Sequence, residues 1–554
     1  MRTNAEHRRP PASPRAIRGH DLRPRHAAAR TDAARPDRFS EKKTSMRFTS
    51  ILFHDGRRTH DTLAAPEYFS DLNCDQIVDA ITAGKEDYNL KPFFYDWVKT
   101  TSAIDYRHAV FRDLENPSLF ARLATFSQEM QEMRQYMARV NKLHYKEQQE
   151  GWFLDAIESY CKSVSTFADD LSKIELSSAG FLGFRDYLRD YVASTAFKTL
   201  QRETETLKAE LAKIKYCILI DGDRVTVRNY DSQPDFSAEV ADTFEKFAQG
   251  EGKGYRLNFK TTEDMNHIEA KILEFVAKLN PRLFSALDEY CRRNAVFLDE
   301  TVASFDREIQ FYVSYFNYID RLKRADLPFC YPGIFEQKDD IYNYDCFDMA
   351  LGQKLVDSKT QVVCNDFRLS GSERILVVSG PNQGGKTTFA RMFGQLHHFA
   401  KLGCPIPGRA ARLFFFDRIF TQFEREEKVE NLRGKLEDDL VRMRRLLTDA
   451  TGRSIIVLNE VFTSTTLQDE LFLSSKVMDQ IIKLGALCVW VTFVDELASF
   501  GSQTVSMVST VVPENPALRT FKIVRRPADG LAYAMAIAQK YNVTYDSIKK
   551  RMGS

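Results

Sequence analysis

The sequence predicts a multidomain chain in which long helices carry a small β insert and are followed by an α/β domain containing a glycine-rich phosphate loop. Three observations in its 554 residues predict this. Apolar residues recur every three or four positions through 66–215 and again through 263–326, the period of helices with one buried face. That period breaks at 216–262, where a strand pattern surrounds an Asp-Gly turn. After Pro328 short apolar runs alternate with helical stretches, and the first of them leads into a Gly-x4-Gly-Lys-Thr spacing. A chain of this length exceeds a single core, so three or four units are expected.

Residues 1–45 hold 12 Lys and Arg against 5 Asp and Glu, with Phe39 as their one aromatic residue. Such a segment cannot bury enough apolar surface to offset the entropy of ordering, and it reads as a disordered basic tail. Met46 opens the first patterned segment, Met46-Arg47-Phe48-Thr49-Ser50-Ile51-Leu52-Phe53, so the tail is expected to precede the native start. Residues 46–215 form the first helical part, with Phe120, Leu123 and Phe126, then Phe197, Leu200, Leu207 and Leu211, marking buried faces. Tyr216–Ile220, the turn Asp221-Gly222-Asp223 and Arg224–Tyr230 read as a hairpin, with Tyr255–Phe259 a third strand of an insert spanning 216–262. The helical period resumes over 263–326 at Ile268, Ile272, Phe275 and Val276. Residues 327–554 form the α/β domain, where Ile375–Val378, Ser454–Leu458 and Leu487–Val491 are apolar runs of the kind a parallel sheet buries on both faces.

Composition narrows the function classes. Hydrophobic residues at 43% and charged residues at 28% are ordinary for a globular protein. No run approaches the ~18 apolar residues of a membrane helix, and the tail lacks the apolar region of a secretory leader. Nine cysteines form no CxxC pair and lie at no zinc-ligand spacing to histidine, so reduced thiols in a cytoplasmic protein are expected. His397 and His398 are neighbours on a predicted helix, diverge by about 100°, and do not share a metal easily. Without the tail, 66 basic residues face 72 acidic ones, a formal charge of −6. Nucleic-acid binding would therefore rest on local patches such as Arg321-Leu322-Lys323-Arg324 or Arg442-Met443-Arg444-Arg445.

The chemistry sits in the α/β part. Gly380-Pro381-Asn382-Gln383-Gly384-Gly385-Lys386-Thr387 lies between a predicted strand and a predicted helix. Glycines let backbone N–H groups curl around phosphates, a lysine reaches the β and γ oxygens, and the following hydroxyl ligates Mg²⁺. Lys386 is read as lying on a solvent-facing loop. The run Ser454–Leu458 ends in Asn459-Glu460, where a Walker B element usually offers Asp-Glu. The Glu would orient or deprotonate the attacking water, and the missing Asp removes a charge worth up to about 4 kcal/mol against a cation at 4 Å. An amide oxygen still accepts from a metal-bound water, so a weakened Mg²⁺ site is expected at Thr387 and Asn459.

Ser379–Thr388, with its Pro-Asn and doubled small residues, resembles the P-loop of the MutS family of DNA mismatch-repair proteins. Asn365-Asp366 is similar to a family motif that lines the nucleotide pocket, and Asp417–Thr421 to the strand after the P-loop helix. Thr463–Thr466 resembles the loop after Walker B, and Gly530–Ala534 the turn and helix that pack the dimer. The resemblance is close over 340–554 and implies an ABC-type ATPase domain, with the helices before it as core and lever and the β insert as a reduced clamp. It implies nucleotide contacts from Asn365, Gly380, Pro381, Asn382, Gln383, Gly384, Gly385, Lys386, Thr387 and Thr388, a catalytic Glu460, and ATP with Mg²⁺ as cofactors. It also implies a homodimer formed through the ATPase domain, with DNA as a further partner.

Four departures bear on what the resemblance implies. The family's mismatch-reading domain, with its Phe-x-Glu wedge, has no counterpart before residue 66. Asn431–Glu437 puts Gly434-Lys435 where the signature loop offers Ser-Thr, Phe493 stands at the switch histidine, and Asn459 stands at the metal-side Asp. With three polar positions changed, slow hydrolysis and a conformational role for ATP are expected. The leading reading is a DNA-modulated ATPase of repair or recombination that dimerises and binds DNA structures. The alternative is an ATP-regulated scaffold dimer that has lost DNA binding, and the fused helical arms oppose a third reading as a transporter subunit.

Overall fold

The computed structural model describes residues 48–54, 63–222, 224–231, 265–424, 434–528 and 544–552, all within one compact unit, Arg47–Ser554. The tail 1–45, the strand expected at 255–259, the signature residues 431–433 and the segment 530–534 lie outside the described residues.

A helical region comes first. It comprises α1 (Cys74–Thr82), α2 (Lys91–Tyr95), α3 (Thr101–Leu114), α4 (Pro117–Val140), α5 (Lys146–Lys173), α6 (Ala179–Ala193) and α7 (Thr195–Ala212). After a hairpin come α8 (His267–Leu279), α9 (Pro281–Arg293) and α10 (Glu300–Lys323). Local chemistry sets the starts. Ser178 and Ser194 cap α6 and α7 by accepting from the N–H of Phe181 and Phe197, and Asn266 with Glu269 forms a capping box on α8. Helix α10 is buried on most sides, carrying Phe305, Ile309, Tyr312 and Tyr315 into the core. The hairpin pairs β1 (Tyr216–Asp221) with β2 (Arg224–Asn229) in antiparallel register, Tyr216 opposite Asn229. Its apolar side chains face outward, with Ile220 74% exposed.

The C-terminal part is α/β. Strands β4 (Gly333–Phe335), β9 (Ala410–Phe414), β5 (Asp340–Cys346) and β6 (Asn365–Ser370) form a mixed four-stranded sheet, while β3 (Phe329–Cys330) pairs with β8 (Ile406–Pro407). The main sheet runs β10 (Ile419–Phe423), β11 (Ile455–Asn459), β12 (Leu487–Val491), β7 (Ile375–Ser379), β13 (Thr504–Val512) and β14 (Asn515–Arg525). Its first five strands are parallel and β14 is antiparallel, so the C-terminal ends of β7, β11 and β12 share one edge. Helices α11 (Met349–Asp357), α12 (Lys386–Lys401), α13 (Lys435–Asp449), α14 (Leu467–Leu484) and α15 (Tyr545–Met552) complete the described elements. Every residue of β11 and β12 is buried, which is why these strands read as unbroken apolar runs.

The helical region and the α/β part share one apolar core around α12. Polar contacts follow that helix along its length. Arg391 Nε donates to Asp71 O (2.9 Å) and Gln395 Nε2 to Leu72 O (2.7 Å). At its end Arg107, 1% exposed, donates to Leu52 O (3.1 Å) and Leu402 O (2.7 Å). His398 Nδ1 accepts from Trp97 Nε1 (2.9 Å) and is hydrogen-bonded to the Tyr68 hydroxyl (3.0 Å). No described helix is long and apolar enough to cross a membrane.

Candidate functional site

The glycine-rich loop joins β7 to α12 at the C-terminal edge of the main sheet. The chain enters α12 through Gly385 at φ 90°, a left-handed conformation that glycine adopts without steric cost. Gly384 is a close approach, because a Cβ there would collide with Ser509 Oγ, which donates to Gly384 O (2.7 Å). The loop is thus buttressed by β13. Arg519 on β14 adds a second support, donating from Nε to Asn382 O (3.1 Å).

Lys386 departs from the expectation of a solvent-facing residue. It is 4% exposed, and its Nζ donates to Gly380 O (3.0 Å) and Pro381 O (3.1 Å). The ring of Phe493 lies over the same ammonium at 4.4 Å. Burial lowers the lysine's pKa, and the Glu460 carboxylate partly opposes that shift. The loop folds back over its own lysine, which periodicity and spacing do not foretell.

Glu460 leaves β11 with φ 52°, a strained conformation for a residue with a side chain, and is held by its N–H donating to Val491 O (2.9 Å). Burial raises its pKa, Lys386 opposes the rise, and Glu424 adds to it. Asn459 is 6% exposed, and its Oδ1 is a buried acceptor with no partner among the described residues. It is one of several such atoms among the described residues, and Asn459 itself lies behind Glu460, outside the lining of the cavity beside the loop. Strand β12 lies between β7 and β11, so the loop and Glu460 are separated by one strand whose end carries Phe493.

A cavity of about 420 Å³ opens beside the loop. Asn382, Gln383, Gly384, Gly385, Lys386, Thr387 and Thr388 line it together with Asn365 and Glu460, whereas Gly380 and Pro381 lie behind, beneath the lysine. Asn365 is a wall residue with its amide committed to β14. Its Nδ2 donates to Phe521 O (3.2 Å) and its Oδ1 accepts from Ile523 N (2.7 Å). The apolar half of the cavity, from Leu351, Leu355, Val362, Val363 and Phe521, went unread in the sequence. The one available signal is that α11 leaves Leu351 exposed on an otherwise amphipathic helix. Of the signature segment, Gly434 caps α13 and the Lys435 ammonium reaches Glu424. Within the basic patches, Arg321 pairs with Asp357 (2.8 Å) and Arg324 with Asp320 (2.5 Å).

Comparison with known proteins finds relatives over the same part of the chain. The family MutS domain V matches residues 376–550, from β7 into α15. The DNA mismatch repair protein MutS of Zymomonas mobilis is 30% identical over 165 residues, 28% of this chain and 19% of its own length. Its counterpart in Thermotoga maritima is 26% identical over 242 residues, 43% of this chain and 29% of its own length. The chain therefore spans less than a third of these relatives. What the family shares with this chain is therefore the stretch 376–550, which matches MutS domain V.

Proposed function

We propose that the chain is a slow P-loop ATPase of the ABC type that binds ATP and Mg²⁺ in the cavity, dimerises through its ATPase domain, and engages DNA structures in repair or recombination. One observation carries this reading: a glycine-rich loop opening a buried helix, set against a strained glutamate and an unpartnered buried amide oxygen on one sheet edge. The N–H groups of the loop and the first turn of α12 would bind the phosphates, with Lys386 reaching the terminal ones. Thr387 and Asn459 would hold Mg²⁺, which when bound neutralises charge on the β and γ oxygens. Glu460 would hold the attacking water and accept its proton, and its raised pKa brings it closer to the range in which a carboxylate works as a base. The apolar walls from Leu351 to Phe521 fit a base.

A second reading, an ATP-regulated scaffold that has lost DNA binding, is supported by the paired charges of the Arg321–Arg324 patch. Fluorescence anisotropy with duplex, branched and mismatched DNA at low salt separates the two, and no binding in any case favours the scaffold. The nucleotide site is tested by calorimetry and phosphate release. Lys386→Met, which keeps the buried stem, should abolish ATP binding, and unchanged affinity would sink the P-loop assignment. Glu460→Gln should spare binding and lower turnover, while Asn459→Asp should raise Mg²⁺ affinity or turnover. A wild type at background with no rescue by Asn459→Asp leaves ATP as a ligand only.

A further inference from the structure

We propose that Phe493 is a specificity-determining residue that disfavours the terminal phosphate of a nucleoside triphosphate, so that the site takes the diphosphate more readily. The inference rests on the nucleotide-site reading above and concerns which nucleotide that site prefers. Its basis is the position of one aromatic ring. Thr492 is fixed by its N–H donating to Val378 O (3.1 Å), and its Oγ1 accepts from Val494 N (3.0 Å). This anchored turn sets Phe493 at the end of β12, between the loop after β7 and Glu460 after β11.

An ammonium has three donors. Two of those on Lys386 are spent on the carbonyls of Gly380 and Pro381, and the Phe493 ring covers the group at 4.4 Å. A β-phosphate held by the loop's backbone N–H groups can take the lysine's remaining donor without needing the ring's space. A further phosphate does need that space, because it must reach Lys386 and approach Glu460, and the ring covers that ammonium from the end of the strand between the loop and Glu460. The ring offers no hydrogen-bond donor, and its π face is the negative part of its quadrupole, so it stabilises the ammonium and repels phosphate oxygens. Glu460, which interacts electrostatically with Lys386, adds a like charge. The diphosphate keeps clear of the ring and of Glu460, whereas the triphosphate meets both.

Phe493 is 45% exposed, so substituting it does not empty a core. Titration calorimetry with ADP and with a non-hydrolysable ATP analogue, each with Mg²⁺, compares wild type, Phe493→Ala, Phe493→Leu and Phe493→His. Wild type is expected to bind ADP more tightly than the analogue. Phe493→Ala should strengthen the analogue by about 2- to 30-fold, the range a cation–π contact spans between exposed and desolvated settings, with ADP changing by less than about 2-fold. Phe493→His, which adds a donor in the same place, should do at least as much, and Phe493→Leu, which keeps bulk without the π face, should fall between wild type and Ala. The proposal is overturned if the analogue binds wild type as tightly as ADP, if both nucleotides shift together in Phe493→Ala, or if neither shifts. ADP binding that persists through those negative results leaves the nucleotide site standing and removes this inference alone. Absence of binding by either nucleotide to wild type removes both.

Discussion

Helices α12 and α9 are close in length and opposite in situation. Thirteen residues of α12 are buried, against two of α9, Leu287 and Tyr290. Each carries an arginine contact to another helical segment, yet the contacts differ in kind. Arg107 reaches the end of α12 from inside the protein, stacked over Phe311 at 5.3 Å and near the buried Glu308. Arg293 of α9 pairs with Glu203 of α7 in solvent, at 2.7 Å. The difference shows where the fold can yield. The helix that opens the candidate nucleotide site moves only with the core around it, whereas the α8–α9 end joins that core through few side chains, Leu287 and Tyr290 among them, and its neighbouring hairpin is exposed.

The largest expected effect comes from removing the buried side of this contrast. Arg107→Ala should destabilise by about 3–5 kcal/mol, because it leaves the carbonyls of Leu52 and Leu402 without a donor, strips Glu308 of a nearby charge and opens a cavity. Arg293→Ala should cost under about 1 kcal/mol. Urea midpoints for the two variants test the contrast, and equal shifts would break it.

Acid should act on the same buried helix next. Burial lowers His398 to about 3 and His397 to about 4, from the ordinary 6.5. The unfolded chain takes up protons below about 6.5 and the folded chain only below about 4, so stability rises with pH in between. Lowering the pH from about 6.5 to about 4 should therefore cost up to ~1.4 kcal/mol per unit for each histidine. Substituting His398→Gln should flatten that slope by one proton, read from urea midpoints across the window. A slope that does not change would show that α12 is more open than its burial implies. The smallest effect belongs to the hairpin: Ile220→Ser, at a 74% exposed position, should alter stability by less than ~0.5 kcal/mol and leave nucleotide affinity unchanged. A larger loss would mean that the hairpin is coupled to the core after all.

Local signals in the sequence were strong where the chemistry is local. The runs that became β7, β11 and β12 are apolar on both faces because helices cover both, and the hairpin announced itself through Asp221-Gly222. The glycine spacing placed the loop between its strand and helix. What the sequence concealed is non-local. The mixed sheet of β4, β9, β5 and β6 uses strands drawn from 333 to 414, one of them only three residues long, with no turn signal joining neighbours. The burial of Lys386 and its cover by Phe493, more than a hundred positions away, depend on the order of strands in the main sheet. Asn365 borders the cavity, but its attachment to β14 needs the register of a strand that no motif marks.

The contact between Gly384 and Ser509 ties together two positions separated by 125 residues. Neither can be altered as though it stood alone. Any side chain at 384 has no room while 509 carries a hydroxymethyl group, and a bulkier residue at 509 would push the loop out of its curl. In a redesigned or shuffled version of this domain the two must travel as a pair. Exchanging the loop segment between relatives without its distant strand would transplant the phosphate cradle and leave behind the surface that shapes it.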